Sequence, residues 1–166
     1  MLVDLARNDL SKYSNNVHVK SYKQIQFYSH VIHMVSNVCG ELRPDYTAFE
    51  TLCGTFPAGT LSGAPKHRAI QLIDELENDA RGFYGGTIGF VGQKKELNQA
   101  IIIRSFLSKN NQLIYQAGAG IVVSSKEENE LQEVFNKING LRNALKEANT
   151  LFKPHTHQKA VTPANF

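Results

Sequence analysis

Residues 56–68 read Phe-Pro-Ala-Gly-Thr-Leu-Ser-Gly-Ala-Pro-Lys-His-Arg and hold two of the chain's five prolines and two of its twelve glycines. Glycine and proline are the strongest punctuation of local structure, so this stretch reads as a loop. A helical pattern begins at its end, and Pro65 suits a first helical turn, where a missing N–H costs nothing. The loop carries two hydroxyls, Thr60 and Ser62, and two cations, Lys66 and Arg68. Free N–H groups and the dipole at a helix start attract anions. Residue types alone describe an ordinary loop-to-helix junction that is able to present hydroxyls and amides to a small anion.

On the N-terminal side of this loop, Leu2, Val3, Leu5 and Leu10 fall into an amphipathic pattern, read as the end of a helix. A polar break over residues 11–16 is followed by a short strand at Val17-His18-Val19. Residues 25–42 are apolar and β-branched and read as one strand, with His30 and His33 on opposite faces. A turn spans residues 40–46 around Pro44 and Asp45, and residues 47–53 form a short helix.

Beyond the loop, Ala69, Ile70, Ile73, Leu76 and Glu77 have helical spacing, and the helix is expected to end before Gly82. Strands are expected over residues 87–91, 100–107 and 113–123, with reverse turns at 93–96 and at Asn110-Asn111. Together they suggest a three-stranded antiparallel meander. Gln116-Ala-Gly-Ala-Gly120 is unusual in a strand, since small residues there mark close approach of a ligand or another backbone. Ser124 or Ser125 can cap a last helix over residues 127–148, with the stripe Leu131, Phe135, Ile138, Leu141/Leu145 and Ala148. Glu130 and Glu133 lie one turn apart on that helix. They are either dipole-favoured charges or oxygens for a hard cation such as Mg²⁺. Residues 151–166 show no periodicity and read as a disordered tail, in which His155 and His157 form a His-x-His pair.

The 166 residues suit one domain with a real core. With 18 Lys+Arg against 15 Asp+Glu, spread along the chain, the net charge of +3 gives no argument for nucleic acid. No apolar run approaches a membrane span, and the start has no signal-peptide pattern. Cys39 and Cys53 match no metal spacing and read as reduced core thiols of a cytoplasmic protein.

Seven separated stretches, taken in order, carry a resemblance. They are Leu2-Val-Asp-Leu-Ala-Arg-Asn-Asp9, Ser29-His-Val-Ile-His33, Phe56 to Lys66, Arg81-Gly-Phe-Tyr-Gly-Gly86, Ile101-Ile-Ile-Arg104, Gln116-Ala-Gly-Ala-Gly-Ile121, and Glu130-Leu-Gln-Glu133 with Asn136-Lys137. As a set they resemble the chorismate-utilising enzymes: anthranilate synthase component I, aminodeoxychorismate synthase component I, and isochorismate and salicylate synthases. The loop and the Leu-Ala-Arg-Asn-Asp run resemble the anthranilate synthase version. The alternatives are the aminodeoxychorismate branch and a non-catalytic truncated remnant.

The resemblance implies an α+β fold, an antiparallel sheet with helices on its outer face, as part of an α/β/β/α sandwich. Residues 1–150 would be the C-terminal portion of the catalytic domain. His33 would assist departure of the chorismate hydroxyl, and Thr60 would lie at the substrate. Tyr84 and Arg104 would hold a carboxylate, and Gly118, Ala119 and Gly120 would offer backbone contacts. Glu133 would bind Mg²⁺ with Glu130 beside it, and Lys137 would be a further active-site cation. A glutamine amidotransferase subunit would supply ammonia. The family's second Mg²⁺-binding glutamate lies just before the Met-Leu-Val-Asp-Leu run, so the expectation is a piece that is inactive by itself. Its uncovered sheet edges would favour self-association.

Overall fold

The fold was obtained as a computed structural model, which describes residues 2–27, 32–93 and 96–152. In chain order the elements are helix α1 (Leu2–Ser11), strands β1 (Ser14–Phe27) and β2 (Ile32–Leu42), helix α2 (Ala48–Thr55), a 3₁₀ turn (Gly59–Leu61), helix α3 (Lys66–Leu76), strands β3 (Thr87–Val91), β4 (Leu97–Ile101), β5 (Leu107–Lys109) and β6 (Gln112–Ile114), and helix α4 (Glu127–Leu151). The class is α+β, with every strand pairing antiparallel. The chain divides into two compact units, Met1–Ile103 and Arg104–Phe166.

In the first unit, α1 packs against β1, β2, α2 and the 3₁₀ turn. Its C-terminal end is tied by Arg43, which follows β2. The Arg43 guanidinium donates to the Ser11 carbonyl (3.1 Å) and to Asn15 Oδ1 (3.3 Å). A cation there meets the negative end of the helix dipole. Helix α2 starts on a capping box. Thr47 Oγ1 accepts from the Glu50 amide (3.2 Å), and the Glu50 carboxylate accepts from the Thr47 amide (2.7 Å). These bonds hold the Glu50 carboxyl below its ordinary pKa. Tyr13 and Tyr46 meet edge to face at 5.1 Å, and a Cβ at Gly54 would overlap the Tyr13 ring. Glycine is what lets α2 come that close.

The structure corrects several expectations. Residues 25–42 are not one strand: β1 ends at Phe27 and β2 begins at Ile32, and the two pair as a hairpin. The expected short strand at Val17-His18-Val19 lies inside the 14-residue β1. β-branched content reports extended backbone but is blind to where it reverses. Residues 28–31, and His30 among them, lie outside the described residues. Register shifts along β1 accompany left-handed backbone at Asn16 (φ 51°) and Lys23 (φ 51°). Together these mark bulges. At one of them the Lys23 amide donates to Ser36 Oγ (2.9 Å) instead of the ladder.

The expected meander is two separate ladders, β3 with β4 and β5 with β6. Strand pairing stops at Ile101, and residues 115–122 form no strand. Asn110 (φ 52°) and Asn111 (φ 60°) form the β5–β6 turn. Both are left-handed, as a type I′ hairpin requires. Lys126, not Ser124 or Ser125, is the N-cap of α4, and no side chain caps it. Ser125 Oγ instead accepts from the Val122 amide (3.0 Å), one step too early to reach the helix.

No apolar side chain among the described residues is buried; Phe27 (78% exposed) and Ile32 (66%) at the hairpin end are typical. The two cysteines are therefore not core thiols: Cys53 is exposed on α2 and Cys39 half-buried on β2. No helix among the described residues is long and apolar enough to cross a membrane. The His155/His157 pair lies outside the described residues.

Candidate functional site

Within the first unit, the loop after α2 is fixed by side chains from both of its flanks. Lys66 Nζ, in the first turn of α3, donates to Asp9 Oδ2 on α1 (2.8 Å) and to the Thr55 carbonyl (2.7 Å). Asp9 is 7% exposed, so this pair joins α1, the end of α2 and the start of α3 away from water. Lys66 thus acts as a structural clasp, and its charge is committed to Asp9. Ser62 Oγ donates back to the Ala58 carbonyl (3.1 Å), which tightens the 3₁₀ turn around Thr60.

Thr60 is exposed and lies at the rim of a cavity of about 330 Å³. Most of its wall is apolar, from Leu5, Leu10, Leu52, Phe56, Ala100 and Ile101, with Asp9, Thr60, Thr87 and Gln99 as polar members. Thr87 Oγ1 is itself hydrogen-bonded to Gln99 (3.1 Å). A dicarboxylate needs cationic or N–H-rich walls. Lys66, the cation beside this cavity, is held by Asp9, so the cavity has the character of incompletely filled packing.

Tyr84 follows α3 in a turn pinned at its base. The Tyr84 amide donates to the Arg81 carbonyl (2.9 Å). Gly85 N–H donates to the Ile102 carbonyl (2.9 Å), and Ile102 N–H donates to the Gly86 carbonyl (2.8 Å). Gly85 (φ 76°) supplies the left-handed turn, a conformation that glycine adopts freely. Arg81 lies over the Tyr84 ring at 5.7 Å, forks onto Glu77 (2.8 and 2.6 Å) and donates to the Leu61 carbonyl beside Thr60 (2.5 Å). The fork pulls the Glu77 carboxyl below its ordinary pKa and raises that of Arg81. Arg81 thus holds both the residue after Thr60 and the Tyr84 turn. His33 stands on β2 opposite Gln26, half-buried, and is not a wall of the cavity that Thr60 borders.

Within the second unit, Lys137 Nζ joins two other expected residues. It donates to the Gly118 carbonyl (2.9 Å) and pairs with Glu133 one turn earlier on α4 (2.6 Å). Glu130, a turn before Glu133, is half-buried. A Cβ at Gly120 would meet nothing within 4 Å, so open space adjoins the glycine-rich segment, with Ala119 half-buried beside it. Arg104 is exposed and holds a left-handed backbone (φ 53°). That conformation costs a non-glycine residue about 1–2 kcal/mol, and such strain concentrates at functional positions.

Arg81 was not among the residues that the sequence marked for the site. Its signal was the four-residue spacing from Glu77, which ordinarily means a surface helix pair. Nothing local shows that the guanidinium also reaches Leu61, 20 residues away.

A family model described as chorismate binding enzyme matches residues 1–143. The chain is 48% identical over 147 residues to anthranilate synthase component 1 of Aquifex aeolicus, covering 87% of this chain and 30% of the relative. It is 49% identical over 150 residues to anthranilate synthase component 1 of Acetivibrio thermocellus, covering 89% and 30%. Among solved structures, anthranilate synthase component I from Streptococcus pneumoniae superposes with a TM-score of 0.77 at 46% identity, covering 82% of this chain and 32% of that one. A Bacillus anthracis protein described as a 2,3-dihydroxybenzoate-specific isochorismate synthase gives the same TM-score at 27% identity, covering 87% and 39%. The chain spans about 30% of the length of the curated relatives it matches.

Proposed function

Because the chain belongs to the chorismate binding enzyme family, we propose that it forms the C-terminal catalytic part of an anthranilate synthase component I. The carrying observation is the identity of 48–49% to relatives of that name, against 27% to the isochorismate-synthase-like neighbour, whose TM-score equals that of the anthranilate synthase structure. Equal superposition at unequal identity means the backbone is common to the family, while side chains follow the product.

In this reading chorismate and ammonia become anthranilate, pyruvate and water. Arg104 grips a chorismate carboxylate in a two-point fork, and Tyr84 is a carboxylate-holding residue as well. Its guanidinium forms no hydrogen bond or ion pair among the described residues, which suits an incoming anion. His33 gives a proton to the departing ring hydroxyl, since hydroxide is a poor leaving group and imidazole titrates near neutrality. Thr60 and the backbone of Gly118, Ala119 and Gly120 orient the ring. Ammonia adds as water departs, and loss of pyruvate leaves the aromatic ring. The partner supplying ammonia is a glutamine amidotransferase subunit.

Glu133 and Glu130 would hold Mg²⁺. Among the described residues no three His, Cys, Asp or Glu side chains form a metal cluster. Two carboxylates nonetheless suit Mg²⁺, which keeps several waters and takes substrate oxygens as further ligands. When bound, the ion would neutralise a carboxylate and polarise the ring. Lys137, paired with Glu133 at 2.6 Å, orients that glutamate before any metal arrives.

Two assays test the reading. The 166-residue chain, mixed with chorismate, Mg²⁺ and ammonium, is expected to give no anthranilate fluorescence; appreciable turnover overturns its dependence on further chain. A hybrid in which this chain replaces the matching third of the Streptococcus pneumoniae enzyme is expected to make anthranilate. Aminodeoxychorismate or isochorismate as its product would reassign the function.

A further inference from the structure

We propose that Arg81 is a positioning residue that sets Thr60 and Tyr84 relative to one another. The inference rests on the reading that these two residues meet chorismate. Arg81 lies just beyond α3, and its planar guanidinium is engaged on three sides. Nε and Nη2 bind the two oxygens of Glu77 at 2.8 and 2.6 Å. Nη1 donates to the Leu61 carbonyl at 2.5 Å, and the face of the group covers the Tyr84 ring at 5.7 Å. Each contact uses a different part of one rigid plane, so moving one moves the others. Glu77 is the C-cap residue of α3, whose amide is still bonded to the Ile73 carbonyl (2.9 Å). The fork therefore takes its bearing from α3, and the free edge carries that bearing to the Leu61–Ser62 peptide, one residue beyond Thr60. Tyr84 has the Ile102 backbone under its turn and the guanidinium over its ring, so its ring has little freedom to swing.

Lysine at this position would keep the charge and lose the fork, and could serve Glu77 or Leu61 but not both with the same plane. Positioning thus separates from mere charge in the comparison of R81K with R81Q and E77Q. In the ¹³C-labelled 166-residue chain, R81K is expected to shift the Leu61 carbonyl and Tyr84 ring resonances together, while α3 resonances over Lys66–Leu76 stay in place. R81Q, which loses the charge as well, is expected to shift both groups at least as far. E77Q, which keeps the guanidinium but weakens the fork, is expected to shift the same two groups in the same direction by less. Movement of one group without the other, or of neither, overturns the proposal.

The hybrid enzyme supplies the second readout. R81K is expected to lower kcat/KM for chorismate about tenfold, the loss of one charge-assisted bond's worth of orientation, when assayed well below its melting transition. An unchanged kcat/KM overturns the proposal. A hybrid whose unsubstituted form makes no anthranilate counts against the functional reading instead, and the resonances then decide the role of Arg81.

Discussion

The two units of this chain hold their expected site residues by different means. In the first, the Thr60 loop is secured by bonds that reach far along the sequence: Lys66 to Asp9 across 57 residues, Arg81 to Leu61 across 20, Arg43 to Ser11 across 32. In the second, Glu130, Glu133 and Lys137 are aligned by the period of one helix, and the hydrogen bond from Lys137 to Gly118 reaches back to the glycine-rich segment. The first arrangement encodes geometry in long-range cross-links, of which those of Lys66 and Arg81 are partly shielded from water. The second encodes it in propensity and repeats, with its ion pair largely in solvent. Rigidity should therefore be lost in one step in the first unit and by degrees in the second.

The largest test of that contrast is Lys66→Met. It leaves the Asp9 carboxylate in a shielded site without its cation, and removal of one partner from such a pair costs about 3 kcal/mol. Amide hydrogen exchange should speed up across α1, α2 and the loop while α4 keeps its protection. Equal acceleration in both units, or none in the first, breaks the comparison.

A smaller and pH-dependent effect is expected at Glu77. Hydrogen bonding to Arg81 holds its folded pKa below the ordinary glutamate value. A depressed carboxylate pKa adds stability that is present above the unfolded value, about 4.3 for glutamate, and lost as pH falls through the folded one. Wild type and Glu77→Gln should therefore differ in urea midpoint at about pH 6 and converge toward about pH 3. A gap that stays constant across that range would show that the carboxylate charge is not the source.

The smallest effect is expected for Lys137→Ala. The side chains of its pair with Glu133 are 31% and 50% exposed. Ion pairs so open to solvent contribute about 0.5 kcal/mol. The melting curve of α4 by circular dichroism should barely move, while the backbone resonances of Gly118 should. A loss of helix comparable to that from Lys66→Met would erase the difference between the units.

What the sequence disclosed follows the same division. Features carried by short-range chemistry were legible: the Asn110-Asn111 hairpin, the helix after Pro65, the stripe of α4, and the loop whose prolines and glycines could not be anything else. The hairpin of β1 and β2 was not, because β-branched residues run up to and past its turn and hide it. The glycine-rich segment looked like a strand because its flanks are β-branched, yet Gly118 spends its carbonyl on Lys137. Cross-links such as Lys66 to Asp9 and Arg81 to Leu61 join residues whose spacing has no period. Physics supplies no local sign for them, and only the order of the motifs hinted that their carriers belong together.

The Lys66–Asp9 clasp also sets a clock on synthesis. Its two halves leave the ribosome 57 residues apart. At about 5–20 residues per second, that is an interval of roughly 3–11 s. During that interval the β1–β2 hairpin and α2 are made while the Asp9 carboxylate has no cation to meet. Helix α4 has no such wait, since its Glu133–Lys137 pair is complete within one turn of its own emergence, and helices form within about a microsecond. The segment from α1 to α2 therefore waits for its clasp, and the wait ends with the arrival of a single lysine.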